Sequence, residues 1–150
     1  MPDLLKIKLE VRRILVEPDL AAYYDLRWRV LREPWTQDRA NERDPRDNDA
    51  IHLGCWIDER LAGVGRLHFN SPAEAQIRFM AVEPGYSGHG IGSCLLRELE
   101  RLAAAEGALA MVLDARESAL SFYEKHGYRS LAFAGQLFNE INHWKMAKGL

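Results

Sequence analysis

Three features of the chain point to a domain of α/β or α+β class, with helices packed on both faces of a mixed sheet. Apolar residues alternate over Leu5 to Val11 and Ile51 to Ile57, the period of strands with one buried face, and Leu61 to Phe69 and Gln76 to Val82 read as further strands between turns. After the fourth of these runs, three alternate glycines, Gly88, Gly90 and Gly92, lead straight into an amphipathic helical pattern. Leu109 to Leu113 is then an unbroken apolar run, as expected of a central strand covered on both sides.

In chain order, Leu5, Ile7, Leu9 and Val11 form the first strand. Pro18 and Asp19 open a helix with Leu20, Tyr24, Trp28 and Leu31 on one face, and Pro34 stops it. Residues 36–50, with Asn41, Asp44, Pro45, Asp47 and Asn48, read as a mobile polar loop. Ile51, Leu53, Cys55 and Ile57 alternate as a strand, Asp58-Glu59-Arg60 turns, and Leu61 to Phe69 returns antiparallel. Asn70-Ser71-Pro72 turns again into the strand Gln76 to Val82. The helix after the glycines buries Ile91, Leu95, Leu99 and Leu102, exposes Arg97, Glu98 and Arg101, and stops at Gly107. A helix over residues 118–125 and strands over 130–133 and 141–146 complete the plan.

At 150 residues the chain is expected to be a single domain, 1–150, with room for a substantial core. Hydrophobic content of 47%, charged content of 28% and a net charge of −2 describe an ordinary globular protein with no basic excess to suggest nucleic acid. No stretch approaches the ~18 consecutive apolar residues of a membrane span, and Met1 to Lys6 lacks a leader pattern, so a cytoplasmic protein without membrane partners is expected. Cys55 and Cys94 are isolated from each other and from histidine, which predicts buried free thiols and no metal.

The glycines carry the chemistry. Positions 88, 90 and 92 permit positive φ and remove side chains that would keep a ligand from the main chain. The unpaired N–H groups of the following helical turn then face an anion, helped by the partial positive charge at that end. A nucleotide P-loop would need Lys and Ser/Thr after its last glycine, where this chain has Ile91 and Gly92. A dinucleotide fingerprint counted from Gly88 or Gly90 would put its last glycine at Ser93 or Leu95. Both readings fail, which leaves another phosphate ligand or a tight turn without one.

Tyr86-Ser87-Gly88-His89-Gly90-Ile91-Gly92 resembles the acyl-CoA pyrophosphate loop of the GNAT superfamily of N-acyltransferases, and it follows a strand ending Ala81-Val82-x-Pro84 as that loop does. Ala119-Leu120-Ser121-Phe122-Tyr123-Glu124-Lys125-His126-Gly127-Tyr128 is similar to the helix and turn Ala-x-x-Phe/Leu-Tyr-x-x-x-Gly-Phe/Tyr of the same family. The two motifs stand in the family's order. One departure is Ser87, where the family's loop usually carries Arg or Gln.

The resemblance implies the acyl-CoA N-acyltransferase fold, a mostly antiparallel mixed sheet whose fourth and fifth strands splay apart. It implies acetyl-CoA as co-substrate, no metal, and acetyl transfer to a primary amine by direct attack in a ternary complex. Met80, Ala81 and Val82 would pair with pantetheine, and a main-chain N–H there would polarise the thioester carbonyl, a donor type whose removal costs on the order of 3 kcal/mol. Ser87, Gly88, His89, Gly90, Ile91 and Gly92 would hold the pyrophosphate. Tyr123 would protonate the departing thiolate; with reference values of about 10 for tyrosine and about 8.5 for a thiol, full transfer is uphill by roughly 2 kcal/mol, which favours a hydrogen bond that tightens as charge develops. Asp114 is the candidate base, with Glu140 and a water chain as rivals. The alternative to catalysis is a module that binds acyl-CoA without turning it over.

Among the histidines, His89 offers a cation to phosphate, His52 and His68 lie opposite apolar neighbours in their strands and face a cavity or solvent, and His143 has no role derivable from its position. Tyr23, Tyr24, Trp28, Trp35, Glu140 and Trp144 are candidates to line an acceptor pocket or to form core and dimer contacts. The acceptor expected is a small-molecule or peptide amine, and a homodimer is left open.

Overall fold

The computed structural model describes residues 8–35, 37–38 and 43–150. In chain order the elements are β1 (Leu9–Arg13), α1 (Asp19–Leu31), β2 (Ile51–Ile57), β3 (Arg60–Ser71), β4 (Glu74–Val82), α2 (Ile91–Ala105), β5 (Ala110–Arg116), α3 (Leu120–Lys125), β6 (Arg129–Leu137) and β7 (Ile141–Gly149). The strands follow the order β1-β2-β3-β4-β5-β7-β6. β1 with β2, β5 with β7 and β6 with β7 pair antiparallel, whereas β4 and β5, joined through α2, run parallel. That parallel ladder spans Glu74↔Ala110 to Ile77↔Leu113 and stops. Both strands continue beyond it, β4 to Val82 and β5 to Arg116, and this is the expected splay.

The chain forms two compact units, Met1–Arg66 with Phe79–Leu99, and Leu67–Arg78 with Glu100–Leu150. In the first, Ile14, Tyr23, Leu26, Leu31, Trp56, Val64, Phe79 and Ala81 form a core cluster. Gly63 lets the start of α2 lie against β3, because a Cβ there would sit 2.6 Å from Ile91 Cγ2 and 2.9 Å from Leu95 Cδ1. The second unit buries Met111, Leu113, Ala115, Tyr123, Tyr128 and Met146. Its Tyr128 hydroxyl donates to Glu100 Oε2 at 2.9 Å, and Lys148 Nζ lies 3.0 Å from the same oxygen.

Local chemistry sets the helix ends. α1 carries Asp19 in its first turn and Arg29 in its last, both favourable to the helix dipole. α2 opens where the Gly90 carbonyl accepts from Cys94 N–H at 3.0 Å, and closes at Gly107 with φ +96°. There Gly107 N–H reaches the Ala104 carbonyl and Ala108 N–H the Ala103 carbonyl, each at 3.0 Å, a Schellman closure.

Several elements differ from the sequence reading. The buried face of α1 is Tyr23, Leu26, Arg27 and Leu31, not the stripe through Leu20, Tyr24 and Trp28, because Arg27 is neutralised by Asp47 and can go inside. Within the polar segment 36–50, residues 45–48 form a 3-10 turn, closed by a capping box between Asp44 and Asp47. Residues 36 and 39–42 of that segment, and Leu5 and Ile7 of the first strand, lie outside the described residues. β2 is buried on both faces rather than alternating. β5 begins after Leu109, which is 70% exposed, and runs through Asp114 to Arg116.

Candidate active site

The first unit holds the glycine turn and the end of β4. Gly88 and Gly90 adopt φ +82° and +79°, and a Cβ on either would have no neighbour within 4 Å. The space in front of both is therefore open to a ligand, and only the backbone conformation demands glycine. Gly92, expected to share that freedom, lies inside α2. With Gly90 as the residue before the helix, the N–H groups of Ile91, Gly92 and Ser93 have no intrahelical acceptor and are oriented for an anion. A pyrophosphate fits this turn.

The side chains of the turn mostly serve the turn. Ser87 Oγ donates to the Pro84 carbonyl at 3.2 Å, and Ser87 N–H reaches the same oxygen at 3.4 Å. His89 Nδ1 lies 3.0 Å from the Tyr86 carbonyl and 3.2 Å from that of Ser87. Carbonyls only accept, so Nδ1 carries the proton and braces the loop. Glu83 accepts from Arg29 Nη1 at 2.6 Å and Nη2 at 3.0 Å, which ties the entry to the turn to α1.

Met80, Ala81 and Val82 follow a feature the sequence does not announce: Phe79, in the strand itself, has φ +54°. An aromatic residue there stores on the order of 1–3 kcal/mol of strain and persists only where its surroundings fix it. Its ring is buried, with Arg27 Cζ 3.7 Å and Arg66 Cζ 4.9 Å from the centroid. Both guanidinium groups are fully buried on Asp47, Arg27 at 3.1 Å and Arg66 at 2.8 Å, and Arg66 also meets Asp44 at 2.6 Å. These arginines hold Asp44 and Asp47 below the usual carboxylate range against the opposing effect of burial. The polar composition of α1 and the loop 43–50 was the signal for this cluster, and charge pairing across distant segments is what a linear reading misses.

His52 belongs to the same cluster and faces neither cavity nor solvent. Its Nε2 lies 2.8 Å from the Asp47 carbonyl and must donate, so Nδ1 accepts from the Tyr23 hydroxyl at 2.7 Å. Burial is the main cause of its lowered pKa. His68 is also buried, with Nε2 3.2 Å from Asn70 Oδ1. Cys55 is a buried free thiol pushed up to about 11 by desolvation, with Cys94 adding to the shift. Cys94 is free and half-buried, with Arg97 Nη2 3.5 Å from its sulfur.

The second unit holds the proton-transfer candidates. Tyr123, on α3, is 7% exposed, and burial raises its pKa. Three buried tyrosines can be compared: Tyr23 bonds His52 and Tyr128 bonds Glu100, whereas the Tyr123 hydroxyl has no protein partner among the described residues. Asp114 is exposed on β5, opposite Lys145 of β7, and is the first residue past the last β4–β5 pair. It is neither a helix cap nor an ion-pair partner of Arg116. Glu140 is exposed in the β6–β7 turn. His143 is half-buried, with its Nδ1 3.0 Å from the Ile141 carbonyl.

Of the acceptor-lining candidates, Tyr23 is sealed in the core, and Tyr24, Trp28, Trp35 and Trp144 are half-buried. Trp28 Nε1 donates to the Gln37 carbonyl at 3.2 Å, whereas Trp144 Nε1 is enclosed without a hydrogen-bond partner. Among the described residues no group of three or more His, Cys, Asp or Glu could hold a metal ion, and no helix is long and apolar enough to cross a membrane.

The family model described as Acetyltransferase (GNAT) family matches residues 20–128. An uncharacterized N-acetyltransferase, YjcF of Bacillus subtilis, is 31% identical over 107 residues, covering 71% of this chain and 76% of that protein. Glucosamine 6-phosphate N-acetyltransferase of Trypanosoma brucei brucei is 28% identical over 141 residues, 87% of this chain and 94% of the relative. A GNAT family acetyltransferase from Elizabethkingia anophelis, solved with acetyl-CoA bound, superposes with a TM-score of 0.76 at 15% identity, covering 95% and 98% of the two chains. With the glycine turn, the parallel β4–β5 ladder that stops short and the matched span in agreement, the chain belongs to the GNAT acetyltransferase family and is an acyl-CoA-dependent N-acetyltransferase with acetyl-CoA as co-substrate.

Proposed function

We propose that Tyr123 and Asp114 carry the proton transfers of acetylation and that the acceptor is a small primary amine on a polar body. The amine lone pair attacks the thioester carbonyl carbon, the C–S bond breaks, and CoA leaves as a thiolate. Asp114 takes the proton that the acceptor ammonium must lose before attack; the second proton, shed by the nitrogen as the tetrahedral adduct collapses, ends on the CoA sulfur, whose developing charge the Tyr123 hydroxyl holds through a hydrogen bond. The Tyr123 hydroxyl carries this reading: the residue is buried, yet its oxygen has no protein partner among the described residues and is not one of the enclosed unsatisfied atoms, so it is open to a ligand atom where Tyr23 and Tyr128 are satisfied. Its raised pKa keeps it protonated at neutral pH and makes formation of free tyrosinate costly, so it acts through a hydrogen bond that shortens as the thiolate charge grows.

Met80, Ala81 and Val82 supply main-chain groups to pantetheine, and residues 87–92 supply them to the pyrophosphate, with Ser87 and His89 bracing the turn. The amino sugar phosphate in the name of the trypanosome relative supports a small polar amine over a protein substrate. Incubation with acetyl-CoA and a pooled amine library, including amino sugar phosphates and short peptides, tests this by release of free thiol. Thiol release only with small amines is expected. Release with none, alongside tight acetyl-CoA binding, would favour a binding module that does not turn over.

A further inference from the structure

We propose that Arg27 and Arg66 are positioning residues, clamping the Phe79 ring and thereby holding the left-handed turn of β4 that aims the main-chain N–H groups of Met80, Ala81 and Val82. This rests on the reading that those groups meet the thioester of acetyl-CoA. Nothing in a phenylalanine favours φ +54°, so the ring must be held from outside. Three planar cations meet it, Arg27 from α1 at 3.7 Å, Arg66 from β3 at 4.9 Å and, farthest, Arg32 just past α1 at 5.3 Å from the centroid; the first two are the ones locked into the carboxylate cluster. Arg27 and Arg66 are fixed in turn: Arg27 grips Asp47 with both Nη atoms, at 3.1 and 3.4 Å, and Arg66 Nη1 spans Asp47 and Asp44.

Asp47 cannot swing, because Oδ2 accepts the Asp44 N–H at 3.0 Å and its carbonyl accepts from His52 at 2.8 Å. Stability alone does not account for buried, carboxylate-paired cations stacked on one strained ring, since apolar side chains of similar volume fill such places at least as well. What a closed ionic cluster adds is orientation. Moving the ring would tilt a guanidinium off its carboxylate and strand a buried charge.

The experiment uses the full chain. Backbone couplings that report φ at Phe79 are measured by NMR in the free protein, and the infrared carbonyl stretch of 13C-labelled acetyl-CoA is measured on binding without an amine. In the wild type, positive φ and a carbonyl stretch lowered on binding are expected. Arg27→Lys keeps the charge but loses the planar stack and the fork. It should shift Phe79 toward ordinary strand values, at least halve the carbonyl displacement, and lower kcat by about tenfold or more with acetyl-CoA KM changed less than about threefold. Phe79→Leu removes the clamped ring and leaves the ion pairs in place, so it should reproduce these losses even where loss of a buried guanidinium unfolds the chain. In the Phe79→Leu background, adding Arg27→Lys should change kcat little further.

Retention of positive φ at Phe79 in folded Arg27→Lys and Arg66→Lys proteins would overturn the clamp, whatever acetyl-CoA does. A lost positive φ with an undiminished carbonyl displacement would overturn its positioning role. If the wild type neither bound acetyl-CoA nor displaced its carbonyl stretch, the assignment of the thioester to Met80–Val82 would fall, and the positioning role with it.

Discussion

The three buried tyrosines respond differently to loss of one oxygen. Tyr123→Phe removes a hydroxyl with no protein partner, so stability in urea should stay within about 0.5 kcal/mol of wild type. Its kcat should fall roughly ten- to a thousandfold while acetyl-CoA affinity changes little. Tyr128→Phe leaves Glu100 with Lys148 alone and should cost about 1–3 kcal/mol with kcat largely kept. If the two variants behaved alike in both measurements, Tyr123 would be an ordinary core aromatic. For the base, Asp114→Asn should remove the acidic limb of the kcat/KM profile. If Glu140→Gln does so instead, Glu140 is the base, and if both variants keep the limb, it belongs to the acceptor amine. The motif singles out Tyr123 in the sequence as the candidate. Phe79 was not legible there, because its conformation is imposed by Arg27 and Arg66 from elements distant along the chain.

At the scale of elements, the glycine turn gives the sharpest test. A Cβ at Gly90 would meet no neighbour within 4 Å, but valine in Gly90→Val cannot hold φ +79° at low cost, so the damage should be confined to the turn. Acetyl-CoA binding measured by calorimetry should be lost while the far-UV dichroism and cooperative unfolding remain. An unchanged affinity would place the pyrophosphate elsewhere. Strand and helix identities were readable throughout because period and glycine punctuation are local signals. Boundaries and buried faces were less so: Asp114 read as a strand end, yet after three consecutive buried residues β5 runs on through it to Arg116, with Asp114 exposed between buried Leu113 and Ala115. Arg27 lay outside the face read for α1, since its burial depends on Asp47 reaching it from a loop that looked merely polar.

For the whole molecule, the buried ionic cluster ties stability to pH. Asp44 and Asp47 have lowered pKa values, so their contribution is present above the unfolded value of about 3.9 and is lost as pH falls through the folded ones. His52, also lowered, is neutral when folded, so stability is lost as pH falls below its unfolded value of about 6.5. The urea midpoint should therefore decline from pH 7 toward pH 5 and drop further below about pH 4. His52 should titrate by NMR below the reference histidine. A midpoint flat from pH 7 to 4 would contradict the cluster as described.

The order β5-β7-β6 also dictates the sequence of events in folding. β5 gains its antiparallel neighbour only from β7, far along the chain, whereas β6 and β7 meet through a turn in which Glu140 N–H reaches the Leu137 carbonyl at 3.2 Å. Such a hairpin closes within about 1–10 microseconds, long before distant strands find each other, so it should form first and dock on β5 as a unit. Its turn places Phe138 and Asn139 at φ +55° and +57°, a conformation that suits asparagine and burdens phenylalanine. Phe138→Asn should therefore speed refolding severalfold in stopped-flow while leaving unfolding nearly unchanged. The opposite partition would mean that β5 and β7 meet before their hairpin is made.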